Sequence, residues 1–67
     1  MAWVGVLYVY DAGVIHSMRV ISDVNVAKGE YNTWYRDIGC RTPDEIEEYK
    51  KGWEDTEVLD IEIVELE

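Results

Sequence analysis

The side chains best suited to covalent or acid–base catalysis are few in this sequence. It has one histidine, His16, and one cysteine, Cys40, and its five glycines are scattered singly rather than gathered into a phosphate-binding loop. His16 and Asp11 could form a dyad, but a nucleophile, a base and an orienting group cannot be assembled from this set. Cys40 is interpreted as an apolar contact at a helix end. We therefore predict that the protein is not an enzyme and has neither catalytic residues nor a cofactor.

Metal binding is the next possibility, because carboxylates are plentiful. A zinc site needs more nitrogen or sulfur ligands than one histidine and one cysteine supply. Asp55, Glu57 and Asp60 cluster around a predicted turn, yet the ligand spacing of a calcium-binding loop is missing. We predict no metal site beyond weak, incidental cation binding.

The acidic residues are concentrated in one part of the chain. Residues 1–42 contain four acids and four bases, whereas residues 43–67 contain eleven acids against Lys50 and Lys51. The whole net charge of −9 therefore belongs to the last 25 residues. A direct nucleic-acid ligand is disfavoured, because this part would repel phosphates and the basic residues do not cluster.

Two interpretations of the acidic part are open. In one, the charge keeps a small, apolar-rich domain soluble and protects an edge strand from pairing. In the other, rows of carboxylates imitate a nucleic-acid backbone, since alternate strand residues such as Asp60 and Glu62 are roughly 6.6 to 6.8 Å apart on one face and helix acids extend the row. The candidate partner-binding residues are Asp44, Glu47, Glu48, Glu54, Asp55, Glu57, Asp60 and Glu62.

In size and charge the chain resembles the small acidic inhibitors encoded by phages, including anti-CRISPR and anti-restriction proteins that occupy nucleic-acid sites. The resemblance rests on composition and transfers no residue roles. It implies a non-enzymatic viral inhibitor that binds a basic nucleic-acid-binding protein of the host and excludes DNA or RNA by charge mimicry. The alternative is a small homo-oligomeric assembly or interaction module, such as a homodimer, whose acidic surface only solubilises it.

The length and the lone cysteine limit the architecture and the compartment. Sixty-seven residues suffice for one domain, residues 1–67, with a marginal core. A single cysteine cannot form an intramolecular disulfide, which fits a reducing compartment. The longest apolar run, residues 4–10, is too short to span a bilayer, and no basic segment precedes it as in a secretion signal. We predict a cytoplasmic protein, in the host cytoplasm if it is phage-encoded, with no membrane partner.

The N-terminal residues predict a β-hairpin. Residues 3–10 and 14–24 are rich in β-branched and aromatic side chains, and residues 11–13 form a loop with a glycine where a left-handed conformation is needed. Pairing Tyr8 with His16 produces an almost wholly apolar face that should be the core: Val4, Val6, Tyr8, His16, Met18 and Val20. The other face carries apolar residues that we expect a second copy or a partner to cover: Trp3, Leu7, Val9, Ile15 and Ile21.

Two helices are predicted after the hairpin. Residues 26–38 have apolar side chains at helical spacing, although their aromatic and β-branched content also allows a third strand. Asn25 can cap this helix and Gly39 can end it. The second helix begins with a capping box formed by Thr42, Pro43 and Glu45. Its inward stripe is Ile46, Tyr49, Lys50 and Trp53, and an ion pair between Glu47 and Lys51 is expected on its outer side.

The last segment, residues 58–66, alternates as a strand. Leu59, Ile61 and Ile63 share one face and Asp60 and Glu62 the other, and a bulge near Ile63 would explain why the alternation then slips. The order of elements predicts an α+β fold. It is a small β-β-α-α-β domain with a three-stranded, mainly antiparallel sheet and two helices packed on one face.

Overall fold

The computed structural model describes residues 2–66 and confirms the predicted β-β-α-α-β order. Met1 and Glu67, the ends of the predicted domain, lie outside the described residues. The elements are β1 (Ala2–Asp11), β2 (Val14–Ile21), α1 (Val24–Asp37), α2 (Pro43–Lys50) and β3 (Glu57–Leu66). The strands form one open antiparallel sheet in the order β2-β1-β3, so β1 is central and the other two strands are edges.

The hairpin of β1 and β2 is confirmed, but its register differs from the prediction. The turn has two residues rather than three, Ala12 and Gly13, with φ values of 51° and 82° that suit a tight hairpin turn. A bulge after Val9 adds one more residue to the β2 side. As a result Tyr8 pairs with Met18 instead of with His16. The second strand also ends at residue 21, three residues earlier than predicted.

The helices pack on the hairpin face that was predicted to be the outer one, although Val4 and Val6 of the predicted core face are buried. A Cβ built on Gly5 would collide with the Cβ of Ala27 in α1, so the helix packs on the face of β1 that carries Gly5 and Leu7. The absence of a side chain at Gly5 is what lets the helix approach this closely. The face predicted to be the core therefore lies on the side of the sheet away from the helices.

Helix α1 confirms the helical interpretation of residues 26–38 over a third strand. Its N-cap is Asp23 rather than Asn25, and the Asp23 carboxylate accepts hydrogen bonds from the N–H groups of Asn25 and Val26 at 2.9 and 3.3 Å. Its predicted end at Gly39 is confirmed, because this residue has φ +98° and its N–H donates to the Arg36 carbonyl at 3.0 Å. The Cys40 N–H completes this helix end by donating to the Tyr35 carbonyl at 2.8 Å.

Helix α2 begins at the predicted capping box. The Glu45 N–H donates to Thr42 Oγ1 at 3.2 Å, and the Thr42 N–H donates to Glu45 Oε1 at 3.1 Å. The predicted ion pair between Lys51 and Glu47 is wrong, because Lys51 pairs with Glu48 instead, at 3.0 Å. Both of these side chains are about three-quarters exposed, so the pair contributes little to stability.

Strand β3 pairs with β1 over ten consecutive residue pairs without a shift in register. The predicted bulge near Ile63 and Val64 is therefore wrong, and the sheet has its bulge in the hairpin instead. The alternation of apolar and polar residues breaks down in the sequence because both faces of β3 carry apolar residues near its end. Val64 shares the face of Asp60 and Glu62, while Ile63 shares the face of the helices.

The core lies between the helices and one face of the sheet. It consists of the buried residues Leu7, Tyr35, Ile46 and Leu59, with half-buried apolar side chains packed around them. We call this face of the sheet the covered face and the opposite one the open face. Register and alternation place the following residues on the open face: Val4, Val6, Tyr8, Tyr10, Ile15, Met18, Val20, Val58, Asp60, Glu62 and Val64.

Candidate protein interface

The candidate interface is the open face, since both helices pack on the other side of the sheet. Along its β2 side, Ile15, Met18 and Val20 expose 55%, 60% and 63% of their surface. Along its centre, Val4 and Val6 expose only 7% and 8%. Exposed apolar side chains gathered on one face of a small domain are typical of a protein interaction surface.

The β3 side of the open face is acidic. Asp60 lies opposite Tyr8 and Glu62 lies opposite Val6, so both carboxylates belong to this face, as the alternation predicts. Burial, followed by the negative charge of Glu62, raises the pKa of Tyr8 above its ordinary value. The open face is therefore apolar along β2 and β1 and negative along β3.

Asp60 also belongs to a polar network that links β3 to both helices. The ammonium group of Lys50 donates to Asp60 Oδ1 at 3.1 Å and to the Tyr31 hydroxyl at 3.0 Å, and it lies 5.3 Å from the Tyr31 ring centroid. Burial by itself would lower the pKa of Lys50, but these hydrogen bonds outweigh it and raise that pKa above its ordinary value. Within residues 2–66, Glu62 is left as an open-face carboxylate without a salt bridge.

Two tyrosine hydroxyls occupy part of the outer edge of β3, where a further strand would otherwise pair. The Tyr35 hydroxyl accepts a hydrogen bond from the Leu59 N–H at 3.1 Å and donates one to the Leu59 carbonyl. The Tyr49 hydroxyl donates to the Glu57 carbonyl at 2.9 Å. Burial raises the pKa of the Tyr35 hydroxyl above its ordinary value, so the hydroxyl keeps its proton at an alkaline pH that would ionise an exposed tyrosine. Tyrosines thus protect this part of the edge, a role that the sequence alone attributes to acidic residues.

The eight predicted partner-binding acids lie on α2, on the turn after it and on β3. Asp44, Glu47 and Glu48 are exposed on α2, whose Ile46 packs against the covered face. Asp60 and Glu62 belong to the open face of β3, and Lys50 of α2 reaches Asp60 at 3.1 Å. The remaining three acids are exposed in the turn after α2 and at the start of β3: Glu54, Asp55 and Glu57. A continuous row of carboxylates running from the helix to the strand stays a prediction.

Three of the five residues of the predicted apolar interface are buried or half-buried in the structure. Leu7 exposes 5% of its surface and is part of the core, and Val9 and Ile21 pack against that core. Trp3 and Ile15 are exposed, as expected. Ile15 reaches the open face because the bulge in the hairpin changes the side to which the end of β2 points.

The histidine and the cysteine considered for catalysis lie on different elements of the fold. His16 is exposed at the bulge of β2, and Cys40 is half-buried at the end of α1, where it packs against the core. In residues 2–66 no three His, Cys, Asp or Glu side chains are grouped as a metal site requires. Neither helix of the described chain has the length and apolarity needed to cross a membrane.

A groove beside the acidic side of the open face was missed by sequence interpretation. It has a volume of about 370 Å³ and is lined by Tyr10, Lys50, Trp53, Val58 and Asp60. Trp53 was predicted on the inward stripe of α2, but the helix ends at Lys50 and the Trp53 ring contacts the Tyr10 ring, with centroids 6.3 Å apart. Gly52, directly before the tryptophan, is the sequence signal that would have ended the helix earlier.

The open face and the groove beside it combine apolar side chains, aromatic rings and carboxylates on one side of the sheet. No family model matches this chain, and neither the curated proteins nor the solved structures contain a match. A function for the chain therefore follows only from its own residues and their geometry.

Proposed function

We propose that this chain is a non-enzymatic binding protein whose open face binds a basic, nucleic-acid-binding protein and blocks the nucleic-acid site of that partner. The observation that carries the proposal is the combination of exposed apolar residues and carboxylates on one uncovered face of the sheet. Ile15, Met18 and Val20 would supply the apolar contact, and Glu62 would supply the charge. A cytoplasmic site of action is part of the proposal, because a lone cysteine fits a reducing compartment.

Charge favours a basic partner over a second copy on the open face. Each chain carries a net charge of −9, so two open faces in contact would bring two strongly negative molecules together. A basic groove that normally holds nucleic acid has the opposite potential and would attract the open face instead. The apolar strip beside the acids would then provide contact area that nucleic acid itself lacks. Such a protein would act as an inhibitor comparable to anti-CRISPR or anti-restriction proteins.

The test uses a purified basic nucleic-acid-binding protein that the chain binds, together with a labelled nucleic acid bound by the same protein. We expect the chain to displace the nucleic acid and to bind less tightly as salt rises, because exposed charges are screened within about 8 Å at physiological ionic strength. Glu62→Lys should slow association several-fold, since charges at an interface act mainly on the association rate.

Glu47→Lys is the matched control for this experiment. It makes the same charge change at an exposed position of α2, which is not one of the open-face residues. Equal effects of the two substitutions would mean that only net charge matters. Simultaneous binding of the chain and the nucleic acid at the partner's site would reject the proposal.

A second candidate function, a homodimeric module, is favoured by the composition of the β2 edge. Residues 14–21 contain no acid, and their charged residue Arg19 pairs with Glu30 of α1 at 2.9 Å. Antiparallel pairing of two β2 edges would join two sheets into one and keep the acidic β3 strands at its far ends. Sedimentation over a concentration series should then show a dimer that Met18→Lys disrupts. A strict monomer at every concentration would remove this candidate.

A further inference from the structure

The groove between the turn after α2 and the open face has features of a site for one cationic side chain. Its walls are the rings of Tyr10 and Trp53, which meet edge to face at an interplanar angle of 76°, and Val58 is its buried apolar residue. Trp53 remains 43% exposed, so part of its ring is free to contact a ligand. A volume of about 370 Å³ is near the lower end for ligand sites, which suits a side chain better than a large cofactor.

The backbone around the groove holds Trp53 in place. The turn after α2 is closed by hydrogen bonds from the Gly52 N–H to the Tyr49 carbonyl at 3.1 Å and from the Trp53 N–H to the Lys50 carbonyl at 3.2 Å. The Trp53 ring also lies against Gly13, where a Cβ would be 3.5 Å from the ring. The hairpin turn and the turn after α2 therefore position the aromatic wall before any ligand arrives.

The polar side of the groove is the Asp60 carboxylate, and only one of its two oxygens accepts hydrogen bonds within residues 2–66. Asp60 Oδ1 accepts hydrogen bonds from Lys50 Nζ at 3.1 Å and from the Ile61 N–H at 2.9 Å. Within residues 2–66, Asp60 Oδ2 has no hydrogen-bond donor, and the Asp60 side chain is 45% exposed. Lys50 is held by Tyr31 as well as by Asp60, so it stays beside the groove as a fixed positive charge.

We propose that this groove binds an arginine side chain of the partner protein, an inference that rests on the proposed function and specifies its anchor. The planar guanidinium can stack on the exposed ring of Trp53 and donate to Asp60 Oδ2. The net charge of −9 favours a cation over an anion despite the presence of Lys50. A lysine would lose more hydration and could not stack, while an apolar side chain would leave the free oxygen of Asp60 without a donor.

The test is a titration of the purified protein with a short peptide that contains one arginine and otherwise only uncharged residues. NMR signals of the tryptophan indole N–H groups report the binding. We expect saturable shifts at Trp53 with a dissociation constant in the millimolar range, because one side chain makes few contacts. Trp3 is an exposed tryptophan of β1 outside the groove and serves as the internal reference. The same peptide with citrulline, which keeps the shape but loses the charge, should bind roughly tenfold more weakly.

Substitutions at the groove complete the experiment. Trp53→Ala should abolish saturable binding and Asp60→Asn should weaken it several-fold, whereas Trp3→Ala should leave it unchanged. Equal shifts with citrulline, equal shifts at Trp3 and Trp53, or no saturation at all would overturn the inference. If the parent chain displaces nucleic acid from its partner but does not bind arginine, the arginine site is rejected and the proposed function is kept. If the chain binds arginine but does not displace nucleic acid, the proposed function is rejected.

Discussion

The covered face and the open face of the sheet are built from similar apolar residues but differ in how far these residues are exposed. On the covered face, Leu7 is enclosed by α1, α2 and β3 as part of the core. On the open face, Met18 and Val20 are as apolar as Leu7 yet lie more than half exposed. Apolar content therefore does not decide which face of this hairpin becomes the core. Gly5 lies on the covered face, where its missing side chain lets α1 approach the sheet closely.

The largest effect that tests this comparison is expected from truncating one residue on each face. Leu7→Ala removes a buried core side chain and should lower the free energy of unfolding by about 2 to 5 kcal/mol. Val20→Ala, on the open face, should change it by less than about 0.5 kcal/mol. Urea unfolding followed by circular dichroism measures both values. Similar losses for the two variants would mean that the open face is also buried in solution, as in a dimer.

The close approach of α1 at Gly5 is tested by adding one methyl group. Gly5→Ala places a Cβ against Ala27 and should destabilise the protein by about 1 to 3 kcal/mol. Gly29→Ala is the matched control, because Gly29 lies in α1 with open space around it. This control should be stabilising by about 0.5 to 1 kcal/mol, since alanine suits a helix interior better than glycine does. A neutral Gly5→Ala would contradict the assignment of the covered face.

The tyrosines at the β3 edge are tested by removing one hydroxyl at a time. Tyr35→Phe leaves the buried N–H and carbonyl of Leu59 without a partner and should cost about 1 to 3 kcal/mol of unfolding free energy. Tyr49→Phe exposes the Glu57 carbonyl to water, which replaces the lost bond, and should cost less than about 0.5 kcal/mol. If both substitutions have equal effects, the Leu59 contact is not buried as described.

The smallest effect is expected in the pH dependence of stability. The folded-state pKa values of Tyr35 and Lys50 are both raised, so each group binds its proton more tightly in the folded chain than in the unfolded one. Their contribution is therefore complete below the ordinary pKa values of about 10 and is lost as pH rises through the higher folded values. Urea unfolding between neutral and strongly alkaline pH should show this decline, with a shallower slope in Lys50→Met. An unchanged slope in that variant would argue against the Lys50 network.

Much of the secondary structure could be predicted because its signals are local. The capping box of α2, the glycine that ends α1 and the β-branched runs of the hairpin act through residues a few positions apart. Position along a strand likewise placed Asp60 and Glu62 on one face. The groove could not be predicted, since Trp53 and Tyr10 are 43 residues apart in the chain.

The sequence by itself determined the order of the elements, the end of α1, the start of α2 and the concentration of charge after residue 42, because short-range backbone preferences and composition set these properties. Only the tertiary structure decided the register of the hairpin, the face on which the helices pack and the groove beside the open face. Each of these depends on contacts between distant residues, such as Gly5 with Ala27 or Tyr35 with Leu59. A shift of a few residues in a turn leaves local preferences unchanged while it alters which side chains meet.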